Sequence, residues 1–277
     1  MIREIKKSDI KMCTELILEC NIGSNLTRYF PKDEREIINR LDSEIESKNH
    51  IILVCEYDKK IIGFLEFLIE SDEKYIQILA YFSNVNYESC FDEFYKILHI
   101  TYKGFTIDFV VNDFNISAIN YMKKINAQTD GLDTMLYIEK NSFKANKESF
   151  ARLLPNEYES KFVKLHDTIF PDVYWNGKRL LKEKDGFKKL IFTEDNQITG
   201  FVVLSSFNRT EEEIYFLYAK DIRTKINLID EALKLSFKKS NTVLLLIPEN
   251  DNSEIKAYTD YGFSIKEKIY TFTIHIY

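Results

Sequence analysis

The chain has 277 residues, of which 45% are apolar, which is enough for the cores of two ordinary domains. A net charge of −6 argues against binding to nucleic acid through the phosphate backbone. No apolar run approaches the roughly 20 residues that cross a bilayer, and no apolar signal segment follows Met1, so we expect a cytoplasmic protein without a membrane partner.

The cysteines and histidines do not follow a metal-binding pattern. Cys13, Cys20, Cys55 and Cys90 lack CxxC spacing and lie on apolar or amphipathic stretches, which predicts buried reduced thiols. The histidines are scattered along the chain, so no metal site is expected.

The first half opens as a mixed α/β domain. Met12, Leu16 and Cys20 are four residues apart, which predicts one apolar helix face after a cap at Ser8 or Asp9. The remaining pattern predicts strand 2–5, a helix over 33–48 with Ile37, Ile38 and Leu41 facing inward, antiparallel strands 51–55, 61–69 and 75–82, helix 88–100, strand 105–111, helix 117–125 and strand 134–138.

The same order restarts after a polar stretch at 139–149, which predicts a linker. The second half is predicted to contain strand 150–154, helices after Pro155 and over 176–183, strands 189–193, 198–205 and 213–219, helix 226–238, strand 242–247, helix 253–260 and strand 269–276. Two tandem domains over 1–140 and 149–277 are the simplest account.

A repeated strand, polar turn and strand supports this duplication. The segment around Gly63 reappears around Gly200, at an offset of 200 − 63 = 137 residues. We interpret both glycines as strand or bulge glycines that carry no chemistry.

The order of elements, together with Tyr258 four residues before Gly262-Phe263, resembles the GNAT superfamily of acetyl-CoA-dependent N-acyltransferases. The resemblance covers nearly the whole chain as two domains and is best in the second half, at 213–219, Arg223 and Tyr258. It implies an α/β (α+β) fold of two GNAT-like domains, each a mixed, mostly antiparallel twisted sheet flanked by helices. The first domain is then structural and the second binds acetyl-CoA.

The family holds the coenzyme pyrophosphate on an Arg/Gln-x-x-Gly-x-Gly/Ala loop at a helix N-terminus. The matching residues lack both glycines and are Arg223, Thr224, Lys225, Ile226, Asn227 and Leu228. The alternative is that this stretch merely begins an amphipathic helix. The equivalent stretch 82–89 of the first half has no arginine, lysine or glycine, so no cofactor is expected there. The resemblance also implies that the backbone N–H of Leu217 or Ala219 holds the thioester carbonyl.

Two side chains are candidates for catalysis by the same resemblance. Tyr258 would protonate the departing thiolate, and its alternative role is that of a buried aromatic residue. In the first half its counterpart is Tyr121 by the ungapped offset, or Met122 if Asn126 is aligned with Gly262. Glu213 would accept the amine proton, unless residues 211–213 form a solvated turn. Alternation along strand 213–219 separates Ile214, Phe216 and Tyr218 from Glu213, Tyr215 and Leu217.

Tyr174 and Trp175 lie in the connection that borders the acceptor site in this fold. They are predicted either to form an aromatic wall for the acceptor or to pack as an ordinary helix connection.

The resemblance thus implies an N-acetyltransferase that transfers acetyl from acetyl-CoA to a primary amine of a small molecule or peptide. The acceptor cannot be identified from the sequence, and a homodimer is left open. A non-enzymatic binding or assembly module is the alternative, and the two missing glycines favour it.

Overall fold

The computed structural model describes residues 1–22, 27, 30–145, 150–206 and 211–277. It divides into two compact units that do not follow the order of the chain. The first unit comprises Met1–Asp133 and Glu267–Tyr277, and the second comprises Thr134–Lys266. Ser149, the predicted start of the second domain and the end of the predicted linker, lies outside the described residues.

The first unit contains a mixed sheet with helices on both faces. Its elements are β1 (Ile2–Glu4), α1 (Ile10–Cys20), α2 (Glu34–Glu44), β2 (His50–Tyr57), β3 (Lys60–Glu70), β4 (Tyr75–Ser83), α3 (Tyr87–Thr101), β5 (Thr106–Asn112), α4 (Ile116–Lys124), the beginning of β6 (Gln128–Glu139) and most of β12 (Ser264–His275). The strand order is β1-β2-β3-β4-β5-β12. One buried cluster joins α1 and α2 to the sheet, and another joins α3 and α4.

The second unit repeats this plan. Its elements are the end of β6, β7 (Arg152–Leu153), α5 (Glu159–Ile169), α6 (Gly177–Lys182), β8 (Phe187–Glu194), β9 (Gln197–Ser205), β10 (Glu211–Ala219), α7 (Ile222–Ser236), β11 (Thr242–Pro248) and α8 (Asn252–Tyr261). The strand order is β6-β11-β10-β9-β8-β7. Helices α5 and α6 cover one face, and α7 and α8 cover the other.

The predicted fold class is confirmed, while several details of the elements differ. Helix α2 ends at Glu44, and Ile38 is 37% exposed although Ile37 and Leu41 are buried. The predicted strand 150–154 is reduced to β7. All four cysteines are free and buried. Within the described ranges no helix is long and apolar enough to span a membrane, and no group of histidine, cysteine and acidic side chains is placed to hold a metal ion.

The two halves of the sequence exchange their last strands: the end of β6 belongs to the second unit, and most of β12 belongs to the first. Strand β12 pairs antiparallel with β5 from Ile269 opposite Asn112 to His275 opposite Thr106. Phe272, which is fully buried, belongs to the core of the first unit. In turn, Leu136 and Ile138 on β6 belong to the core of the second unit. The compact units therefore differ from the predicted domains 1–140 and 149–277, because a strand read in sequence order need not pair within its own half.

The repeated glycines allow a helix to approach the sheet. A Cβ atom on Gly63 would lie 2.3 Å from Sγ of Cys90 on α3, and one on Gly200 would lie 2.5 Å from Cγ2 of Thr224 on α7. Any larger side chain would push these helices away from the strands. Both glycines therefore serve packing.

A charged cluster is buried in the first unit. The Glu66 carboxylate is fully buried and lies 2.6 Å from the Arg40 guanidinium and 3.6 Å from Nδ1 of His50. Burial opposes ionisation, but the neighbouring His50 and the charge of Arg40 outweigh it and lower the pKa of Glu66. The equivalent position of the second unit is Val203, which is also fully buried.

We predict that mutations on either side of the boundary between the units destabilise different units. Phe272→Ala should loosen the first unit and Phe263→Ala the second, because these rings, nine residues apart in sequence, lie in the cores of different units. Each change should cost about 3–5 kcal/mol of unfolding free energy. Hydrogen exchange of the amides of α3 and α7 measures the effect. If Phe272→Ala increased hydrogen exchange only in α7, the assignment of β12 to the first unit would be wrong.

We also predict that Arg40→Ala destabilises the protein by about 3–5 kcal/mol, because it leaves the Glu66 carboxylate without its cationic partner. A folded-state pKa below the unfolded value gives stability that is present above the unfolded pKa and lost as pH falls through the folded pKa. The midpoint of urea unfolding should therefore decrease when the pH falls below the usual pKa range of glutamate. The decrease should be smaller in Glu66→Gln, which has no carboxylate to protonate at this position. Lys256→Ala, which breaks an exposed pair with Asp260, is the control and should cost under about 0.5 kcal/mol.

Candidate functional site

One extra residue in strand β10 sets the geometry of the second unit. Ile214 pairs with Leu204 and Phe216 with Val203, so Tyr215 is a β-bulge. Ile214 and Leu217 pack with the core under α7 and α8, whereas Phe216 packs with the core under α5 and α6. The predicted alternation, which placed Ile214 with Phe216 and Tyr218, is wrong because the bulge reverses the faces after Ile214.

The bulge also separates β10 from β11. The parallel pairing runs from Glu211 opposite Thr242 to Ile214 opposite Leu245 and ends there. The rest of β10 pairs with β9 alone, and the N–H of Lys220 donates to Thr199 O at 2.9 Å on that side. Because successive N–H groups of a strand point to opposite sides, those of Leu217 and Ala219 point away from β9. Two donors thus face the gap beside β11.

Tyr258 packs on the α7 and α8 side of this gap. It is 3% exposed and shares its cluster with Leu217 and Ala219. Burial, and then the charge of Glu254, raise the pKa of Tyr258, so the phenol stays protonated at neutral pH. No hydrogen bond joins its hydroxyl to another described residue. The phenol therefore carries its proton and lies on the α7 and α8 face of the sheet.

Gly262 and Phe263 have a structural role beside this tyrosine. The backbone N–H groups of Gly262 and Phe263 donate to Tyr258 O at 3.1 and 3.0 Å, and Gly262 has a φ of 121°. The Tyr-x-x-x-Gly-Phe pattern is thus the C-terminal cap of α8, which orients Tyr258 through its own backbone.

The predicted pyrophosphate residues form the first turns of α7, as the alternative proposed. Leu228 is fully buried in the core, and Asn227 donates to Arg223 O at 2.9 Å. Asp221 caps the helix, because its carboxylate accepts from the Thr224 N–H at 2.8 Å. A carboxylate thus already occupies the position where a helix N-terminus would hold phosphate. These residues do not fit a diphosphate.

The two basic side chains of this segment are directed elsewhere. Arg223 is exposed and lies 3.9 Å from Glu194. Lys225 is ion-paired with Glu254 on α8, and its Nζ lies 5.0 Å from the centre of the Tyr258 ring. Lys225 thus faces the tyrosine predicted to be catalytic.

The glutamates at the start of β10 are separated by strand geometry and do not form a solvated turn. Glu212 is buried, ion-paired with Lys188, and accepts from Ser206 Oγ at 3.0 Å. Glu213 is partly exposed, and its charge helps burial raise the pKa of Tyr215. Glu213 therefore lies on the α5 and α6 side, with Tyr215.

Tyr174 and Trp175 belong to an aromatic row on that side. Trp175 lies 5.2 Å from Tyr174 and 4.8 Å from Phe187, which in turn lies 5.7 Å from Tyr215. The guanidinium of Arg179 stacks on Tyr174 at 4.2 Å. The predicted acceptor residues thus pack as part of a helix connection, and through this row they join the bulge next to Glu213.

His166 was not predicted as a site residue. It is fully buried on α5, and its ring lies 4.7 Å from that of Phe216. Its Nδ1 lies 2.9 Å from Asp167, which also accepts from the Gly177 N–H at 2.7 Å, while Nε2 has no hydrogen-bond partner among the described residues. The signal in the sequence is its position four residues after Phe162, which places a polar ring on the apolar face of α5.

The first unit has the same strand geometry, but side chains fill the corresponding position. Leu79 is the bulge, since Glu66 pairs with Ala80 and Phe67 with Ile78, and pairing of β4 with β5 ends at Ile78. Beyond it Tyr81, 4% exposed, donates its hydroxyl to Tyr87 O at 2.8 Å.

The counterpart of Tyr258 in the first unit is Met122. Ala127 N–H donates to Met122 O, as Phe263 N–H does to Tyr258 O, and Asn126 takes the positive φ of Gly262. These bonds decide between the two alignments in favour of Met122. Tyr121 instead donates its hydroxyl to Asp92 at 2.5 Å. The first unit thus lacks a phenol at this position.

A surface cleft lies elsewhere, between α1 and α2 of the first unit. Lys7, Thr14 and Ile38 are among the residues that line it. It contains none of the predicted site residues, so the strand gap remains the better candidate.

No protein-family model matches the sequence, and no curated protein matches it. Solved structures do match. A GCN5-related N-acetyltransferase from Sphaerobacter thermophilus is similar over 100% of this chain and 95% of its own, with a TM-score of 0.69 and 12% identity. A tandem GNAT protein from the clavulanic acid biosynthesis pathway is similar over 100% and 98%, with a TM-score of 0.66 and 9% identity.

An acetyltransferase from the GNAT family of Colwellia psychrerythraea is similar over 99% of both chains, with a TM-score of 0.58 and 11% identity. At these identities the similarity concerns the fold. The chain therefore has the fold of the GNAT acetyltransferases, with two such units in tandem.

Proposed function

We propose that the second unit is an N-acetyltransferase that transfers an acetyl group from a thioester donor, acetyl-CoA, to a primary amine. The observation that carries this proposal is the gap between β10 and β11, which the N–H groups of Leu217 and Ala219 face and where Tyr258 packs in the adjoining core. A carbonyl oxygen that becomes negative during acyl transfer needs such fixed donors.

The roles divide between the two faces of the sheet. On the α5 and α6 side, Glu213 accepts a proton from the amine as its nitrogen forms the new bond to the acyl carbon. The N–H of Leu217 or Ala219 donates to the carbonyl oxygen. On the other side, Tyr258 gives its proton to the sulfur as the carbon–sulfur bond breaks. The electron pair of the carbon–sulfur bond leaves with the sulfur, the carbonyl double bond re-forms, and solvent then returns a proton to Tyr258 and takes the proton from Glu213.

The first unit has a structural role in this proposal. Tyr81 and Tyr87 fill the position beside its bulge, and Met122 replaces the phenol. Its strand β5 also holds β12, which continues directly from the catalytic unit. We infer that the first unit supports the second.

A binding or assembly module without catalysis is the second candidate. The capping of α7 by Asp221 and the absence of glycines at Ile226 and Leu228 favour it, because each weakens a coenzyme site. A protonated phenol whose hydroxyl has no hydrogen-bond partner among the described residues lies beside the gap and favours the enzyme.

Binding of the donor distinguishes these candidates. Calorimetric titration of the full chain with acetyl-CoA should give one site, lost when Leu217 is replaced by proline, which removes an N–H that faces the gap. The matched control is Glu211→Gln, at the other end of β10. A dissociation constant of about 1 mM corresponds to a binding free energy of ~4 kcal/mol. If no heat is released at donor concentrations of about this value, the result would support the binding module.

Tyr258→Phe should lower kcat by about 10²–10⁴-fold, because it removes only the proton that the sulfur receives. Folding should be unchanged, since the hydroxyl has no protein partner among the described residues. Tyr261→Phe on the same helix is the control, since its hydroxyl donates to Asp230 and has no role in the proposal. Acetylation of a panel of primary amines measures both. Unchanged turnover in Tyr258→Phe would remove Tyr258 from the mechanism.

A further inference from the structure

The residues at the N-terminus of α7 do not fit the diphosphate of the coenzyme that the fold implies. Coenzyme A consists of a pantetheine arm, which carries the thioester, and a nucleotide, which carries the diphosphate. A diphosphate is best held where helix N–H groups are available and the charge is positive. At α7 the N–H of Thr224 is already bonded to the Asp221 carboxylate. One of the N–H groups that could bind a phosphate at this turn is thus occupied.

The charge at this end of the helix is also unfavourable. Lys220, Arg223 and Lys225 are the cations, while carboxylates stand close to each: Asp221 beside Lys220, Glu194 beside Arg223, and Glu254 and Asp251 beside Lys225. Three positive charges therefore face four negative ones. A diphosphate would meet no net attraction here.

Sterics add to this mismatch. Close approach of a phosphate to a helix turn requires glycine, whereas Ile226 is branched and 37% exposed. The glycine of this region is Gly200 on β9, and Thr224 and Leu228 already pack against it. A branched side chain therefore stands where a phosphate would have to approach the backbone of this turn.

The strand gap shows the opposite character. Its donors are backbone N–H groups of Leu217 and Ala219, which match the amide carbonyls and thioester of an uncharged arm. The nearby side chains are apolar or aromatic and belong to the cluster around Tyr258. A pantetheine arm fits these groups, and the nucleotide does not fit α7.

We propose that the second unit recognises its acyl donor through the acyl-pantetheine arm alone, so that its donor class is pantetheine thioesters in general and the nucleotide adds no affinity. This proposal rests on the proposed acetyl transfer and narrows it. It assigns Asp221 as the residue that excludes the diphosphate.

The test compares two donors on the full-length protein. The dissociation constants of acetyl-CoA and S-acetyl-pantetheine, measured by calorimetry, should agree within about threefold. A site that held the diphosphate by charge-assisted hydrogen bonds would prefer acetyl-CoA by at least about tenfold, and that result overturns the proposal. If neither thioester binds, the proposed function fails as well, so the two failures are distinguishable.

Asp221→Ser provides a second measurement. Serine keeps the cap on α7 and removes the charge, so the variant should fold. It should bind acetyl-CoA about two- to fivefold more tightly at low salt and leave the affinity for S-acetyl-pantetheine unchanged. Asp251→Ser, which makes the same change at the cap of α8, is the control and should have a smaller effect. Weaker binding of acetyl-CoA by Asp221→Ser would show that Asp221 does not exclude the nucleotide, which also overturns the proposal.

Discussion

The extra residue in β10 is the constraint on which the second unit depends. Tyr215 has no partner on β9, so the faces of the strand reverse and pairing with β11 stops at Ile214. Without this bulge the N–H groups of Leu217 and Ala219 would complete an ordinary ladder and could not reach a ligand. The bulge also places Glu213 on one face of the sheet and Leu217 on the other. A single inserted residue thus frees the two N–H groups from the strand ladder and places the candidate site residues on opposite faces of the sheet.

The first unit shows that this backbone alone does not make a site. Leu79 produces the same bulge in β4, and pairing with β5 stops at the same point. Tyr81 then uses its hydroxyl to bond the backbone of Tyr87, and its ring packs 4.9 Å from Phe91. The two units share this scaffold, and the side chains beside each bulge determine whether the gap is filled.

Periodicity in the sequence predicted the elements and their order, because amphipathic faces follow directly from residue spacing. Two features escaped it. The exchange of β6 and β12 depends on pairing between residues far apart, such as Phe272 and Phe109, and no local pattern encodes that choice. Tyr215 is the same β-forming type of residue as its neighbours, so the sequence gives no sign of the bulge. Strict alternation therefore assigns the residues after Ile214 to the wrong faces of the sheet.

The candidate site was predictable only where a motif fixed a local shape. Tyr258 before Gly262-Phe263 could be located because Gly262 ends the helix with a positive φ. The resemblance to the family predicts the segment from Arg223 to Leu228, and the sequence shows that its glycines are missing, but it does not show the role of Asp221. An aspartate before a helix is an ordinary cap, and only its 2.8 Å bond to Thr224 shows that it occupies the anion position.

Lys225 lies between the strand gap, where we propose that the thioester binds, and the N-terminus of α7. Lys225 lies within the segment expected to bind phosphate, yet its charge is directed at Glu254 and at the ring of Tyr258. A cation over the face of that ring favours the phenolate that remains after proton donation, since the developing negative charge lies close to it. The nearby carboxylate of Glu254 opposes this effect and limits it. Lys225 is thus engaged with Glu254 and with the ring that we propose as the proton donor, and it is not directed at a site for the nucleotide.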